Sequence, residues 1–227
     1  MNKKFIVLMM ALMIVGLMAG SAAASDWEAV GGLAITNVTL DKWNSTIDDL
    51  NTLVASDFQG LIATSNIEEM DNIDRVPMIY VGAKRSLNDK WTANIQYERI
   101  FGSVETKFDS AVGSGSAEID VVLNGLSFLA DYELNEKWSL GGGISFYKGT
   151  KDKSFEGQAF ATSGLVDKEV DLDAVSYRMG VDYTRSFAEN WNFNAGLDYL
   201  YLEMDDEEEG NVYSNGFSYT AGLAYSF

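Results

Sequence analysis

The feature that most constrains this chain is strict two-residue alternation, renewed in segment after segment. Trp191, Phe193, Ala195, Leu197, Tyr199 and Tyr201 alternate with Asn192, Asn194, Gly196 and Asp198. Side chains alternate faces along a β-strand, so such a segment presents one bulky apolar face and one small or polar face. The same pattern follows Trp91, where Ala93, Ile95, Tyr97 and Phe101 oppose Thr92, Asn94, Gln96 and Glu98. It follows Trp138 too, where Leu140, Ile144 and Phe146 oppose Ser139, Gly141, Gly143 and Ser145. Leu126, Phe128, Ala130, Tyr132 and Leu134 oppose Ser127, Asp131 and Glu133, and Val175, Tyr177, Met179, Val181 and Tyr183 oppose Ser176, Arg178, Asp182 and Thr184. Val76–Leu87 is less regular, with Ile79, Val81 and Ala83 outward and Tyr80, Gly82 and Lys84 inward; Pro77 suits its beginning, where a missing donor costs least. Trp27–Val38 opens the set, and Phe217, Tyr219, Ala221, Leu223, Tyr225 and Phe227 close it. The count is eight, and an even number returns both ends to one side, as single-chain bacterial barrels require.

Short polar turns join these segments in pairs. Ser86-Leu87-Asn88-Asp89-Lys90-Trp91 is repeated as Glu133-Leu134-Asn135-Glu136-Lys137-Trp138, and more weakly as Ser186-Phe187-Ala188-Glu189-Asn190-Trp191. Each reads as a hairpin whose second strand opens with Trp. The connections at the opposite end read as longer loops, 39–74, 108–117, 149–171 and 204–214. Short turns on one side and long loops on the other are the asymmetry of outer-membrane barrels.

A soluble sandwich or lipocalin-like barrel also alternates, but turns its polar face outward. Here the polar set is rich in Gly, Ser, Ala and Asn, which suits the narrow interior of an eight-stranded barrel. The aromatic and branched set suits lipid, with Trp27, Trp91, Trp138 and Trp191 as an aromatic girdle at one level. The predicted fold is therefore all-β: an eight-stranded antiparallel transmembrane β-barrel, polar inside and apolar outside. With these features the chain resembles the small eight-stranded outer-membrane barrels, such as the OmpA transmembrane domain and the OmpW family. The C-terminal strand, with Tyr225 and the terminal Phe227, looks like the assembly signal that the barrel-assembly machinery reads in this superfamily. The resemblance implies a place in the bacterial outer membrane with its lipid as partner. OmpA-type proteins often continue into a peptidoglycan-binding domain, and no attachment by that route is expected of a chain ending at Phe227.

The N-terminus reads as an export signal over residues 1–24, with the barrel domain over 25–227. Lys3 and Lys4 precede an apolar stretch from Phe5 to Leu17, and Ala22-Ala23-Ala24 offers a cleavage site before Ser25. The chain carries a net charge of −18, so nucleic acid, which needs a basic surface, is not an expected partner. There is no cysteine, hence no disulfide framework and no thiolate chemistry.

Composition also limits chemistry. The count of histidine is 0, which removes Ser-His and Asp-His constellations and leaves no general base with an ordinary pKa near neutrality. The expectation is no catalytic site, no cofactor and no resident metal. The inward set carries charge at Lys84, Glu98, Asp131, Glu133, Arg178, Asp182 and Asp198. Buried charges need partners or water, so this network reads either as a salt-bridged plug or as the lining of a narrow, cation-preferring, OmpW-like pore. Within it, Arg178 is expected to be held by Asp182 and Asp198. In the first long loop, Trp43, Ile47, Leu50, Val54 and Phe58 recur at helical spacing, with Asn44 or Ser45 as a candidate cap. That segment reads as a short helix over the barrel mouth, or as a lid. The run Asp205-Asp206-Glu207-Glu208-Glu209-Gly210 reads as a solvated loop that can attract divalent cations, without the spacing of a calcium loop. The function expected is a structural or surface-interaction role, with the solute channel as alternative.

Overall fold

The computed structural model describes residues 27–59, 69–110, 113–157 and 166–227; the export signal expected over residues 1–24 lies outside the described residues. The described chain forms β1 (Trp27–Asn37), α1 (Asp41–Gln59), β2 (Arg75–Ser86), β3 (Trp91–Ser110), β4 (Gly113–Glu133), β5 (Trp138–Gly157), β6 (Lys168–Ala188), β7 (Trp191–Asp206) and β8 (Gly210–Ser226). Each strand pairs antiparallel with the next, and β1 pairs β8 from Glu28↔Ser226 to Thr36↔Ser218, closing an eight-stranded barrel.

The repeated turn sequence has a local cause. Asn88 Oδ1 accepts from the backbone N–H groups of Lys90 and Trp91, both at 3.0 Å. Asn135 does the same for Lys137 at 3.0 Å and Trp138 at 3.2 Å. These are side-chain-built turns of the kind Asn favours. The third copy has Ala188 at that position, and there the register shifts between Ser186 and Ala188 instead. At this end the girdle is paired across strands: Trp91 meets Tyr132 at 5.2 Å, Trp138 meets Tyr183 at 5.0 Å and Trp191 meets Tyr225 at 5.0 Å between ring centroids. Trp27 lies under the Arg85 guanidinium at 5.4 Å.

The strands are much taller than a bilayer requires. A tilted transmembrane strand needs about 9–11 residues, whereas β3 to β6 have 20 or 21 each. Among the described residues, the connections expected over 108–117, 149–171 and 204–214 are therefore mostly strand. Parity is kept along each strand, but the chemical character of its two faces exchanges at mid-height. From the tryptophans to about Phe101, Phe146, Tyr177 and Tyr201, the exterior is apolar, with Leu126, Phe128, Leu140, Leu197 and Leu223 exposed. Beyond it the exterior is polar, with Glu105, Asp171, Asp173, Glu203 and Asp205 exposed. The interior there is apolar: Ile119, Val121, Leu123, Leu172, Leu202 and Met204 are buried in one cluster. Polar-inside alternation thus describes only the girdled half. The other half has the face pattern of a water-soluble barrel, polar outside and apolar within.

Candidate functional site

The interior divides into three layers. The middle layer is an ion pair spanning the barrel: Arg178 on β6 donates through Nη2 to Glu98 Oε1 on β3. Glu98 has 0% exposure, and its second oxygen accepts from the Tyr147 hydroxyl. Two features of the sheet make this possible. Glu98, Gly125 and Tyr147 are successive register partners across β3, β4 and β5. A Cβ at Gly125 would lie 2.3 Å from Tyr147 Cδ1, so the ring can reach Glu98 only over a glycine. Ser127, Ser145 and Ser176 form the adjoining row, and their small side chains leave room for the guanidinium. Arg178 Nη2 approaches Ser127 Oγ at 3.4 Å and Ser145 Oγ at 3.3 Å. The expected partners of Arg178 are thus corrected. Asp198 stands opposite Gly180, one same-face step nearer the turns than Arg178, and Asp182 one step further still. The cation instead crosses the lumen to β3, a neighbour that closure of the sheet brings near.

The layer toward the tight turns is polar. Lys84 Nζ lies 3.9 Å from Asp131 Oδ2, and a cavity of about 70 Å³ is lined by Tyr80, Asn94, Asp131, Arg178, Asp182 and Asp198 among others. Tyr80 spans Gly32 and Gly222, where a Cβ would stand 2.5 and 2.3 Å from its hydroxyl. Glu133 is on the same face but exposed at the rim.

The third layer is the apolar cluster, closed by α1. Ile47 has 0% and Trp43 5% exposure, so the helix covers the mouth with its apolar stripe packed onto the cluster. The side chains of Val54 and Phe58 lie outside the described residues. The helix starts at Asp41, one turn before the expected caps, and Asn44 has another duty: its Oδ1 accepts from Ile73 N–H at 2.9 Å, pinning the returning chain. Lys151, 1% exposed, anchors the helix from β5. It pairs with Asp206 and, at 2.9 Å, with Glu209, and lies 5.3 Å from the Trp43 ring. Trp43 Nε1 donates to Asp206 at 3.0 Å, and Lys42 Nζ donates to the carbonyls of Glu209 and Asn211 at 3.0 and 2.7 Å.

The acidic run is therefore a lysine-tied turn rather than a loose loop. Glu208 also pairs with Lys153 at 2.7 Å and Lys168 at 3.2 Å. Burial alone would push the Asp206 carboxyl up, but hydrogen bonds from Lys151 and from the Glu208 and Glu209 backbone hold it below the usual range. The Lys153 hydrogen bond does the same for Glu208, against a smaller burial effect. Tyr147 and Lys151 escape a sequence reading because the alternation is followed only as far as Phe146 and Lys151 lies inside an expected loop. Continuing the inward parity of β5 through Ser145, Tyr147 and Gly149 to Lys151 would have found both.

No protein-family profile matches the sequence. No curated protein matches it either. Solved structures similar to the chain include Ail, the attachment invasion locus protein of Yersinia pestis, at 16% identity, covering 90% of this chain and 99% of that one, TM-score 0.42. Neisserial surface protein A is similar at 14% identity, 90% and 99% coverage and TM-score 0.48. The outer membrane protease OmpT of Escherichia coli is similar at 9% identity, 90% and 97% coverage and TM-score 0.41. The architecture rests on the chain's own register, a closed eight-stranded barrel like those of small outer-membrane proteins.

Proposed function

We propose that the chain is a closed, non-catalytic barrel of the bacterial outer membrane that carries a rigid β-extension into the water outside and serves there in surface interaction. One observation carries this reading: the lumen is blocked at two levels above its turn-side cavity. The Arg178–Glu98–Tyr147 layer spans it, and α1 with the apolar cluster seals the end opposite the tight turns. A water-filled cation path would need polar walls throughout, and the upper walls are apolar. The apolar belt between two aromatic levels supports a place in lipid. The absence of histidine and cysteine from the sequence supports a role without acid–base or thiolate catalysis. The partners this implies are outer-membrane lipid, the barrel-assembly machinery and, at the exposed acidic exterior, cationic surfaces or ions.

The test is conductance of the refolded protein in planar bilayers. The wild type should be silent, and so should Trp43→Ala/Ile47→Ala, which weakens the upper seal but leaves the Arg178–Glu98–Tyr147 layer closed. Discrete, cation-selective steps from the wild type would establish a channel instead.

A further inference from the structure

Below the Arg178–Glu98 pair, three aspartates share one construction. Each faces a glycine directly across the register: Asp131 faces Gly141, Asp198 faces Gly180 and Asp182 faces Gly196. The carboxylates lie over these glycines. A Cβ at Gly141 would stand 2.3 Å from Asp131 Oδ1 and 3.3 Å from Asp182 Oδ2. At Gly180 it would stand 2.3 Å from Asp198 Oδ1, and at Gly196 2.4 Å from Asp182 Oδ1. Gly141 and Gly180 are themselves register partners. Asp131 and Asp198 therefore bracket a glycine floor, and Asp182 leans in from the next row.

Charge in this cradle does not balance. Arg178 is taken by Glu98, and Lys84 sits beside Asp131. Among the described residues neither Asp182 nor Asp198 has an ion pair. A second observation points the same way. Asn94, 8% exposed, lines the same cavity with its Oδ1 buried and without a hydrogen-bond partner among the described residues. Two unpaired carboxylates and an unpaired amide oxygen form a set that only a cation or water donors can satisfy.

Size and spacing narrow the choice. The cavity of about 70 Å³ exceeds the roughly 10–15 Å³ that one water needs by the same measure. Among the described residues no three acidic groups stand close enough to ligate one bare ion together. Magnesium fits both facts, because it keeps several of its waters and takes only one or two carboxylates. Its charge also equals that of the two unpaired aspartates. We propose that this glycine-floored cradle binds one partly hydrated divalent cation of the magnesium class, held by Asp182 and Asp198, with Asn94 accepting from its water shell. The ion enters from the side of the tight turns, where Lys84 is still partly exposed; Arg178, Glu98 and Tyr147 close the other side.

The experiment follows thermal unfolding of the refolded, EDTA-stripped protein in detergent. Magnesium chloride is titrated against tetramethylammonium chloride at matched ionic strength. Magnesium should raise Tm along a saturating curve, with calorimetry giving one equivalent, and tetramethylammonium should not. Asp182→Asn/Asp198→Asn should lose the response and melt above the metal-free wild type, since its unpaired charges are gone. Gly141→Ala keeps every charge but fills the floor, and should lose the response too. Asp205→Asn/Glu207→Gln, which removes exposed acids, should retain it. Equal responses of the wild type to both salts would overturn the site. So would a full magnesium response in either cradle variant, and Gly141→Ala decides the matter if the double variant does not fold.

Discussion

At Arg178 one guanidinium is, among the described residues, the charged partner of Glu98, a carboxylate with 0% exposure. Arg178→Ala leaves Glu98 buried with just the Tyr147 hydroxyl, and should cost about 3–5 kcal/mol, the scale for breaking a buried pair. Tyr147→Phe removes one hydrogen bond to a charged group and should cost about 1.5–3 kcal/mol. Urea unfolding in detergent measures both, and the double variant should lose less than the sum because the two groups share Glu98. A wild-type midpoint for Arg178→Ala would show that the pair holds nothing together. Which face Arg178 occupies was legible, because parity alone decides it. Its partner was not, because alternation carries no information about which strands meet across a closed lumen. Asn88 gives the contrasting case, in which sequence and structure agree through a purely local cause. Asn88→Ala should cost about 0.5–1.5 kcal/mol for each of its two backbone hydrogen bonds.

Among the elements, α1 depends on a fastening at its first turns. Asp206 and Glu208 have carboxyl groups held below their ordinary range. A depressed folded-state pKa gives stability that is complete above the unfolded value and disappears as pH falls through the folded one. The fastening should therefore be intact at neutral pH and loosen only well into acid, below about 4. Amide exchange within Asp41–Asn51 should accelerate there before the strands of the girdled half respond. Lys151→Met should bring fast α1 exchange already at neutral pH and flatten its acid dependence, and unchanged exchange would detach Lys151 from the helix. The helix itself was legible from the spacing of Trp43, Ile47 and Leu50. What it docks into was not, since Lys151 and Asp206 lie far away in sequence and inside expected loops.

For the whole molecule, the proposed place in the outer membrane puts the tight turns on the periplasmic side and α1 on the outside. Protease added to intact cells should cut within the β1–β2 connection and spare Asn88-Asp89 and Asn135-Glu136; cleavage confined to those turns would invert the orientation. The number of strands and the girdle could be read from alternation, and the height of the barrel could not. A strand whose two faces exchange character halfway looks, residue by residue, like the end of a strand. That exchange leaves a trace in the mutational tolerance of any single strand. In β4, aspartate should be rejected at even positions near the turns, where Leu126 and Phe128 face lipid, and polar residues accepted at odd ones such as Ser127 and Asp131. Further up, the odd positions Ile119, Val121 and Leu123 should reject it, while Glu118 and Asp120 already carry acids on the even face. A saturation scan read along one strand would thus cross from even to odd sensitivity at a single level. That level marks the upper surface of the membrane without any lipid being measured.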